Sequence, residues 1–420
     1  MNKIRIPAKN SIDGTLTIPS SKSYAQRAIA LAGLSKSSVV IRNLTDSDDV
    51  LAAQGIIAAL GAIFVRSGKD LILKSGIDMN CDSEISINCK ESGLSTRLFS
   101  SFSLLFDEDF TVNGEGSIAQ RTMEMVIDGL AAFGKSIDSN KGKIPLKISG
   151  KTLKKKVEID GSISSQFLTG VLIVTSFLKR DTEIRVPKLK SKPYIEMTLD
   201  LMRYFGLKVE HKDFEIFQIK GNQSIGEELV YEVEGDWSAA SFHIVAAAVG
   251  GHIQLKGLKA DSRQGDKVIL DAVKRAGASV EWRNGDLIIQ KDELLPFEFD
   301  AGECPDLFPP LAVLAAYASG KSTISGVHRL KHKESDRGIT LQQEFAKIGV
   351  RIDLNGDEMV IHGKGTPIVQ KEVTFSSHND HRIAMAMSLL SIGAEKSIYI
   401  EHAGAVDKSY PDFYKDFLTI

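Results

Sequence analysis

Apolar residues along this chain recur at helical spacing, run into a glycine, and give way to a short strand-like stretch, five times over. The junctions read Ala-Ala-Leu-Gly61-Ala-Ile-Phe-Val, Ala-Ala-Phe-Gly134-Lys-Ser-Ile, Arg-Tyr-Phe-Gly206-Leu-Lys-Val, Lys-Arg-Ala-Gly277-Ala-Ser-Val and Ala-Lys-Ile-Gly349-Val-Arg-Ile. Their glycines lie 73, 72, 71 and 72 residues apart. A glycine just past a helix adopts the left-handed conformation that closes the last turn, so each junction predicts a helix-to-strand turn. A fixed period of this length predicts a repeat architecture.

Each unit reads as helix, strand, second helix, glycine turn, then one or two strands. In the first, residues 24–34 and 48–60 are predicted helical, and 38–44, 63–65 and 71–73 extended. The sixth unit starts at Asn379, runs as a helix through Leu390, reaches a strand at 397–401 and ends after a short helix without a closing hairpin. The N-terminal stretches 4–6 and 15–18 are strands with no helix before them, and they are expected to complete this truncated unit. Three units then form a middle domain, residues 21–233, and three form a discontinuous domain, residues 1–20 with 234–420. The chain would cross between them near Pro19-Ser20 and Glu234-Gly235, with an active site in the cleft. An open solenoid is the competing arrangement, but its units are usually half this length.

A second series runs in phase with the first. Small polar clusters open Ala/Leu-rich helices at Ser21-Lys22-Ser23, Ser92-Gly93, Ser164-Ser165-Gln166, Asp236-Trp237-Ser238, Pro305-Asp306 and Asn379-Asp380-His381-Arg382. Ser and Asp are good N-caps, and helix N-termini favour anions. Any one cluster is explained by capping alone. Six in register, several with Lys or Arg close by, point to a shared anion-binding centre.

Composition narrows the partners. A formal net charge of −2 over 420 residues gives no bulk attraction to nucleic acid or an anionic membrane, so an anion site must be locally basic. The three cysteines, Cys81, Cys89 and Cys304, form neither a zinc-type nor a redox spacing, which fits a reducing cytoplasm. No signal-peptide stretch opens the chain and no apolar run spans a membrane. Gly129-Leu-Ala-Ala-Phe-Gly134-Lys135-Ser136 matches a P-loop letter for letter, but a helix precedes it and a strand follows, the reverse of what a phosphate cradle needs. His378 and His381 have ligand-like spacing but no third ligand, so no metal is expected.

Three clusters resist a purely structural reading. Lys22 and Arg27 oppose the dipole at the start of an apolar helix. His332-Lys333-Glu334-Ser335-Asp336-Arg337 packs five ionisable groups into six residues, and Asn379-Asp380-His381-Arg382 leads straight into a buried-looking helix. Together they suit a small, highly charged ligand.

With these residues in view, the chain resembles the 5-enolpyruvylshikimate-3-phosphate synthase family over nearly its whole length. Ser21-Lys22-Ser23 with Arg27, Asp46-Ser-Asp-Asp49, Asp160-Gly-Ser-Ile-Ser-Ser-Gln-Phe-Leu-Thr169, Ser191-Lys-Pro-Tyr194, Val233-Glu-Gly-Asp236, Lys333-Glu-Ser-Asp-Arg337, Asn379-Asp-His-Arg382 and Lys408-Ser-Tyr-Pro-Asp412 carry the resemblance. It implies an α/β enolpyruvyl transferase fold: two domains, each of three βαβαββ units around a pseudo-threefold axis. It also implies transfer of the enolpyruvyl group of phosphoenolpyruvate to the 5-hydroxyl of shikimate 3-phosphate, releasing phosphate, in the shikimate pathway to chorismate and the aromatic amino acids. No cofactor is implied. A cytoplasmic monomer is expected, with no nucleic-acid or membrane partner.

By the same resemblance Ser23 and Arg27 hold the shikimate carboxylate, Ser164, Ser165 and Ser191 its phosphate, and Gln166 and Tyr194 its ring, with Asp306 and Lys333 also on this substrate. Arg121, Arg337, Arg382 and Lys408 hold phosphoenolpyruvate, with Gln166 beside it and Gly93 leaving room for its phosphate. Lys22 touches both substrates. Asp306 is the candidate base and Glu334 the candidate acid, with Lys22 and Lys408 stabilising developing charge. Where most members read Asn-Ala-Gly-Thr-Ala-Met-Arg, this chain reads Glu91-Ser92-Gly93-Leu94-Ser95-Thr96-Arg97. Leu94 is expected to narrow the phosphate pocket and Glu91 to oppose the anion, weakening inhibition by glyphosate. Two alternatives remain open: enolpyruvyl transfer to UDP-N-acetylglucosamine, and a non-catalytic repeat scaffold.

Overall fold

The computed structural model describes residues 2–81, 83–162, 164–331, 333–365 and 369–420. It divides into two compact units, Lys22–Val233 and Met1–Ser21 with Glu234–Ile420. Each has its own hydrophobic core.

The contiguous unit contains helices α1 (Lys22–Gly33), α2 (Asp48–Ala59), α3 (Gly93–Ser100), α4 (Glu124–Ala132), α5 (Gln166–Thr175) and α6 (Lys192–Tyr204). The discontinuous unit contains α7 (Trp237–Gly250), α8 (Ile269–Arg275), α9 (Phe308–Tyr317), α10 (Arg337–Ala346), α11 (His381–Leu389) and α12 (Phe413–Thr419). Every residue of α9 and α11 is buried, as is nearly all of α7. A helix apolar all round can only be a central one, and these three pack on each other. In the other unit α3 packs on α1 and α5 in the same role.

The repeat glycines behave as the sequence predicts. Gly61, Gly134, Gly206, Gly277 and Gly349 all have positive φ, between 70° and 102°, at helix-to-strand turns. Each opens a hairpin, such as Ser136–Asn140 with Lys143–Ser149, that pairs antiparallel with the strand between the unit's two helices.

The strand pattern differs from the reading of the periodicity in two ways, the first of which the βαβαββ resemblance already implied. Each sheet also has a leading strand, such as Ile85–Asn88, Lys156–Glu158 or Glu298–Asp300, that pairs parallel with the next strand. These stretches of three or four residues are too short for alternation to announce. The N-terminal strands also part company. Lys3–Ile6 joins the last sheet by pairing with Ile398–Glu401, whereas Ile12–Thr17 pairs parallel with Gly251–Lys256 in the fourth repeat. The strand before α7, Leu229–Glu232, pairs instead with Val39–Arg42 of the first repeat. The leading strands of α1 and α7 are thus exchanged where the chain passes from one unit to the other.

Candidate active site

In the discontinuous unit the site is built at the starts of α9, α10 and α11. Arg337, the first residue of α10, is completely buried and faces three carboxylates. Its Nε and Nη2 donate to Asp380 at 2.8 and 3.2 Å, Nη2 also to Glu334 at 2.8 Å, and Nη1 to Asp306 at 2.7 Å. Asp306 in turn accepts from Lys333 Nζ at 3.1 Å and Arg382 Nη2 at 2.9 Å. Lys408 Nζ lies 3.5 Å from Glu334 Oε1, an ion pair without a hydrogen bond. Four cations thus surround three carboxylates, and Asp306, Lys333, Glu334, Arg337, Arg382 and Lys408 come together as one cluster. His332, the first residue of the sequence cluster at this point, lies outside the described residues.

The field in this cluster sets its proton affinities. Burial would raise the Asp306 carboxyl, but Arg382, Lys333 and Arg337 hold it well below the ordinary carboxylate range. Burial pulls Lys333 down against the attraction of Asp306. Burial also opposes the charge on Arg337, but Asp380, Glu334 and Asp306 more than reverse this. Asp266, which accepts a hydrogen bond from the Ser238 hydroxyl, is pushed up to about 6 by burial and by the nearby charge of Asp306.

The contiguous unit presents a different surface. Arg27 is buried within it, and its donors go to Thr198 Oγ1 at 3.0 Å, the Ser23 carbonyl at 2.8 Å, and the Thr169 hydroxyl and Tyr194 carbonyl at 3.4 and 3.3 Å. All of these are neutral oxygens, and burial lowers its pKa to about 10. No carboxylate is among these partners. Lys22 Nζ donates to Asp49 at 2.8 Å, and Gln26 reaches from its Nε2 to the Lys22 carbonyl. Gln26 Oε1 accepts from Ser92 and Ser95 at 3.0 and 2.8 Å, tying Lys22 to the start of α3.

There Arg97 Nη1 donates to Gln166 Oε1 at 2.8 Å, and the Gln166 backbone N–H donates to Ser164 Oγ at 3.2 Å. A Cβ placed on Gly93 would lie 3.2 Å from a terminal nitrogen of both Arg97 and Arg121, so glycine lets these guanidiniums close over the helix start. Ser165 precedes α5, and Ser191 precedes α6 in a left-handed conformation at φ 57°, a strained setting for a non-glycine residue. Neither side chain caps its helix. Hydrogen bonds thus group Lys22 with α3 through Gln26, Arg27 with Ser23 and Tyr194, and Arg97 with Gly93, Gln166 and Ser164, while Arg121 Nη2 donates to Ser117 Oγ at 3.4 Å.

Leu94 is buried in the hydrophobic core. Glu91 Oε2 accepts the Ser117 N–H at 3.3 Å. The roles of Asp380 with Arg337, of Asp49 with Lys22 and of Arg97 with Gln166 were not assigned from sequence. The only available signal was a charged residue at the start of an otherwise apolar helix.

Comparison with known proteins agrees with this architecture. The fold is shared with an EPSP synthase of Acinetobacter baumannii (TM-score 0.80, 24% identity, covering 99% of this chain and 97% of that one). It is also shared with the enolpyruvyl transferase NikO of Streptomyces tendae (TM-score 0.78, 17% identity, 100% and 97% covered). These neighbours define an enolpyruvyl transferase fold. The profile of EPSP synthase (3-phosphoshikimate 1-carboxyvinyltransferase) matches residues 6–417. The 3-phosphoshikimate 1-carboxyvinyltransferase of Clostridium novyi is 35% identical over 99% of this chain and 97% of its own length. That of Haemophilus influenzae is 33% identical over 100% and 99%. The chain belongs to the EPSP synthase family.

Proposed function

We propose that the two clusters divide the work of this chain's reaction, transfer of the enolpyruvyl group of phosphoenolpyruvate to the 5-hydroxyl of shikimate 3-phosphate with release of phosphate. The observation that carries this reading is Asp306, a carboxylate hydrogen-bonded by three cations. In the free protein these cations make it a poor base. An incoming phosphate draws on the same cations, weakens their hold on Asp306, and raises its affinity for the hydroxyl proton. Binding of one substrate thereby prepares the base for the other.

In this reading Ser23, Arg27, Ser164, Ser165, Gln166, Ser191 and Tyr194 hold shikimate 3-phosphate, with Lys333 and Asp306 completing its site. Arg121, Arg337, Arg382 and Lys408 hold phosphoenolpyruvate beside Gly93 and Gln166, and Lys22 contacts both. Asp306 takes the hydroxyl proton as the oxygen attacks C2 of phosphoenolpyruvate. Phosphoenolpyruvate draws Arg337 and Lys408 away from Glu334, which then takes up a proton from solvent, delivers it to the methylene carbon and returns to the carboxylate that these two cations stabilise. Loss of a proton from that carbon then expels phosphate and restores the double bond. A monomer acting in the cytoplasm is part of the same proposal. No helix among the described residues is long and apolar enough to cross a membrane.

Phosphate release assayed with both substrates, together with calorimetry of shikimate 3-phosphate against UDP-N-acetylglucosamine, tests the reading. Turnover and shikimate 3-phosphate binding are expected. Binding of the UDP-sugar alone would overturn it.

A further inference from the structure

Asp380 reaches the cluster from a tight turn that precedes α11, and Arg382 from the first turn of that helix, so something must hold the turn. His378 and Asn379 both lie in the left-handed region, at φ 51° and 56°, which is unfavourable for consecutive non-glycine residues. Part of the support is local. The His378 N–H donates to Ser376 Oγ, the Asn379 N–H to Ser377 Oγ, and Ser377 Oγ to the His402 carbonyl. The rest comes from α10. Glu344, 2% exposed, accepts the Ser376 N–H at 3.0 Å through Oε2, and its Oε1 lies 2.8 Å from His378 Nε2. Since a carboxylate only accepts, that ring nitrogen carries the hydrogen.

Glu344 follows Arg337 by seven residues, two helical turns, so both lie on one face of α10. The helix therefore grips the 376–382 segment twice: through Arg337 on Asp380, and two turns on through Glu344 on His378 and Ser376. Lys347, on the same helix, also donates to Glu344 and to the Thr374 carbonyl.

We propose that Glu344 and His378 are positioning residues for phosphoenolpyruvate: their contact fixes the strained turn that aims Asp380 at Arg337 and Arg382 at Asp306. This rests on the assignment of Arg337 and Arg382 to phosphoenolpyruvate. Misplacing a binding group by a fraction of an ångström weakens most the substrate that group holds directly, and weakens less a substrate held mainly by other groups.

The test compares His378→Ala, His378→Asn and His378→Gln with the parent and with Arg382→Lys. The readouts are KM for phosphoenolpyruvate, kcat, calorimetric binding of shikimate 3-phosphate, and Tm. Asn tolerates the left-handed backbone but is too short to reach Glu344, whereas Gln can reach it with an amide donor. The Ala and Asn variants are expected to raise KM for phosphoenolpyruvate roughly 10-fold, the scale of a modest misplacement. Shikimate 3-phosphate binding, held mainly by the other unit in this reading, should change far less than KM for phosphoenolpyruvate, and Gln should recover most of the loss. Parental KM in folded Ala and Asn variants would overturn the proposal, as would a loss that falls equally on both substrates. If Arg382→Lys leaves KM unchanged, the underlying assignment fails. If Arg382→Lys raises KM and the His378 variants do not, only the positioning role fails.

Discussion

The two units share one repeat yet begin their helices with different chemistry. In the contiguous unit α2, α3, α5 and α6 are preceded by Ser47, Ser92, Ser165 and Ser191, and only Ser92 closes on its own helix. In the discontinuous unit α7, α10 and α11 are capped by Asp236, Asp336 and Asp380, each accepting a backbone N–H of its helix. A serine caps without adding charge, so the positive end of the dipole stays available to an external anion. An aspartate satisfies the dipole itself and then draws in cations. Hence one unit holds Arg27 buried without a carboxylate, while the other holds Arg337 among three.

The largest expected effect sharpens the chemical half of this contrast. Asp306→Asn and Glu334→Gln should each lower kcat by about 10²–10⁴-fold, the range for acid–base groups, while shikimate 3-phosphate still binds. Steady-state phosphate release and calorimetry check this. Near-normal turnover in either variant removes that residue from its role.

Asp380→Asn asks whether the aspartate caps differ in kind from the serines. It leaves Arg337 buried with one carboxylate fewer, and breaking such a pair typically costs ~3–5 kcal/mol. Urea unfolding should show a loss of that order. A loss no larger than that of a serine cap would erase the distinction.

A third effect is pH-dependent. The raised Asp266 carboxyl keeps its proton in the folded chain up to about pH 6, where the unfolded chain has already lost its own. Its contribution to stability therefore falls as pH rises from about 4 to about 6, by about 3 kcal/mol on the 1.36 kcal/mol-per-unit scale. Asp306, held below its ordinary value, acts in a separate window. Its contribution is present above about pH 4 and is lost only as pH falls further. Asp266→Asn should flatten the pH dependence between 4 and 6 relative to the parent. Parallel unfolding free energies for the two proteins across that range would contradict the assignment.

The smallest effect belongs to the serine side. Ser92→Ala removes one cap and one hydroxyl on Gln26, for about 1 kcal/mol. A much larger loss in thermal unfolding would mean that the contiguous unit also stores charge-dependent stability at its helix starts.

What could be read from sequence follows the range of the interactions. The turns at Gly61 to Gly349 were legible because a left-handed glycine after a helix is a local signal. Polar helix starts were legible for the same reason. The leading strands came only from the family resemblance and not from the periodicity, since three or four residues such as Glu298–Asp300 are defined by a partner strand more than twenty residues away. Asp380 was visible as a cap but not as the partner of Arg337, 43 residues earlier. Residue types were readable, and which carboxylate meets which cation was not.

The exchanged leading strands fix an order of assembly during synthesis. Lys22–Val233 is contiguous and brings its own last strand, Leu229–Glu232, back to Val39–Arg42, so its sheets can close once residue 233 has left the ribosome. The strands ahead of it have no such early partner. Ile12–Thr17 waits for Gly251–Lys256, and Lys3–Ile6 waits for Ile398–Glu401, far later in the chain. At about 5–20 residues per second Lys3–Ile6 stays unpaired for roughly 20–80 s. For that time this segment exposes a bare strand edge.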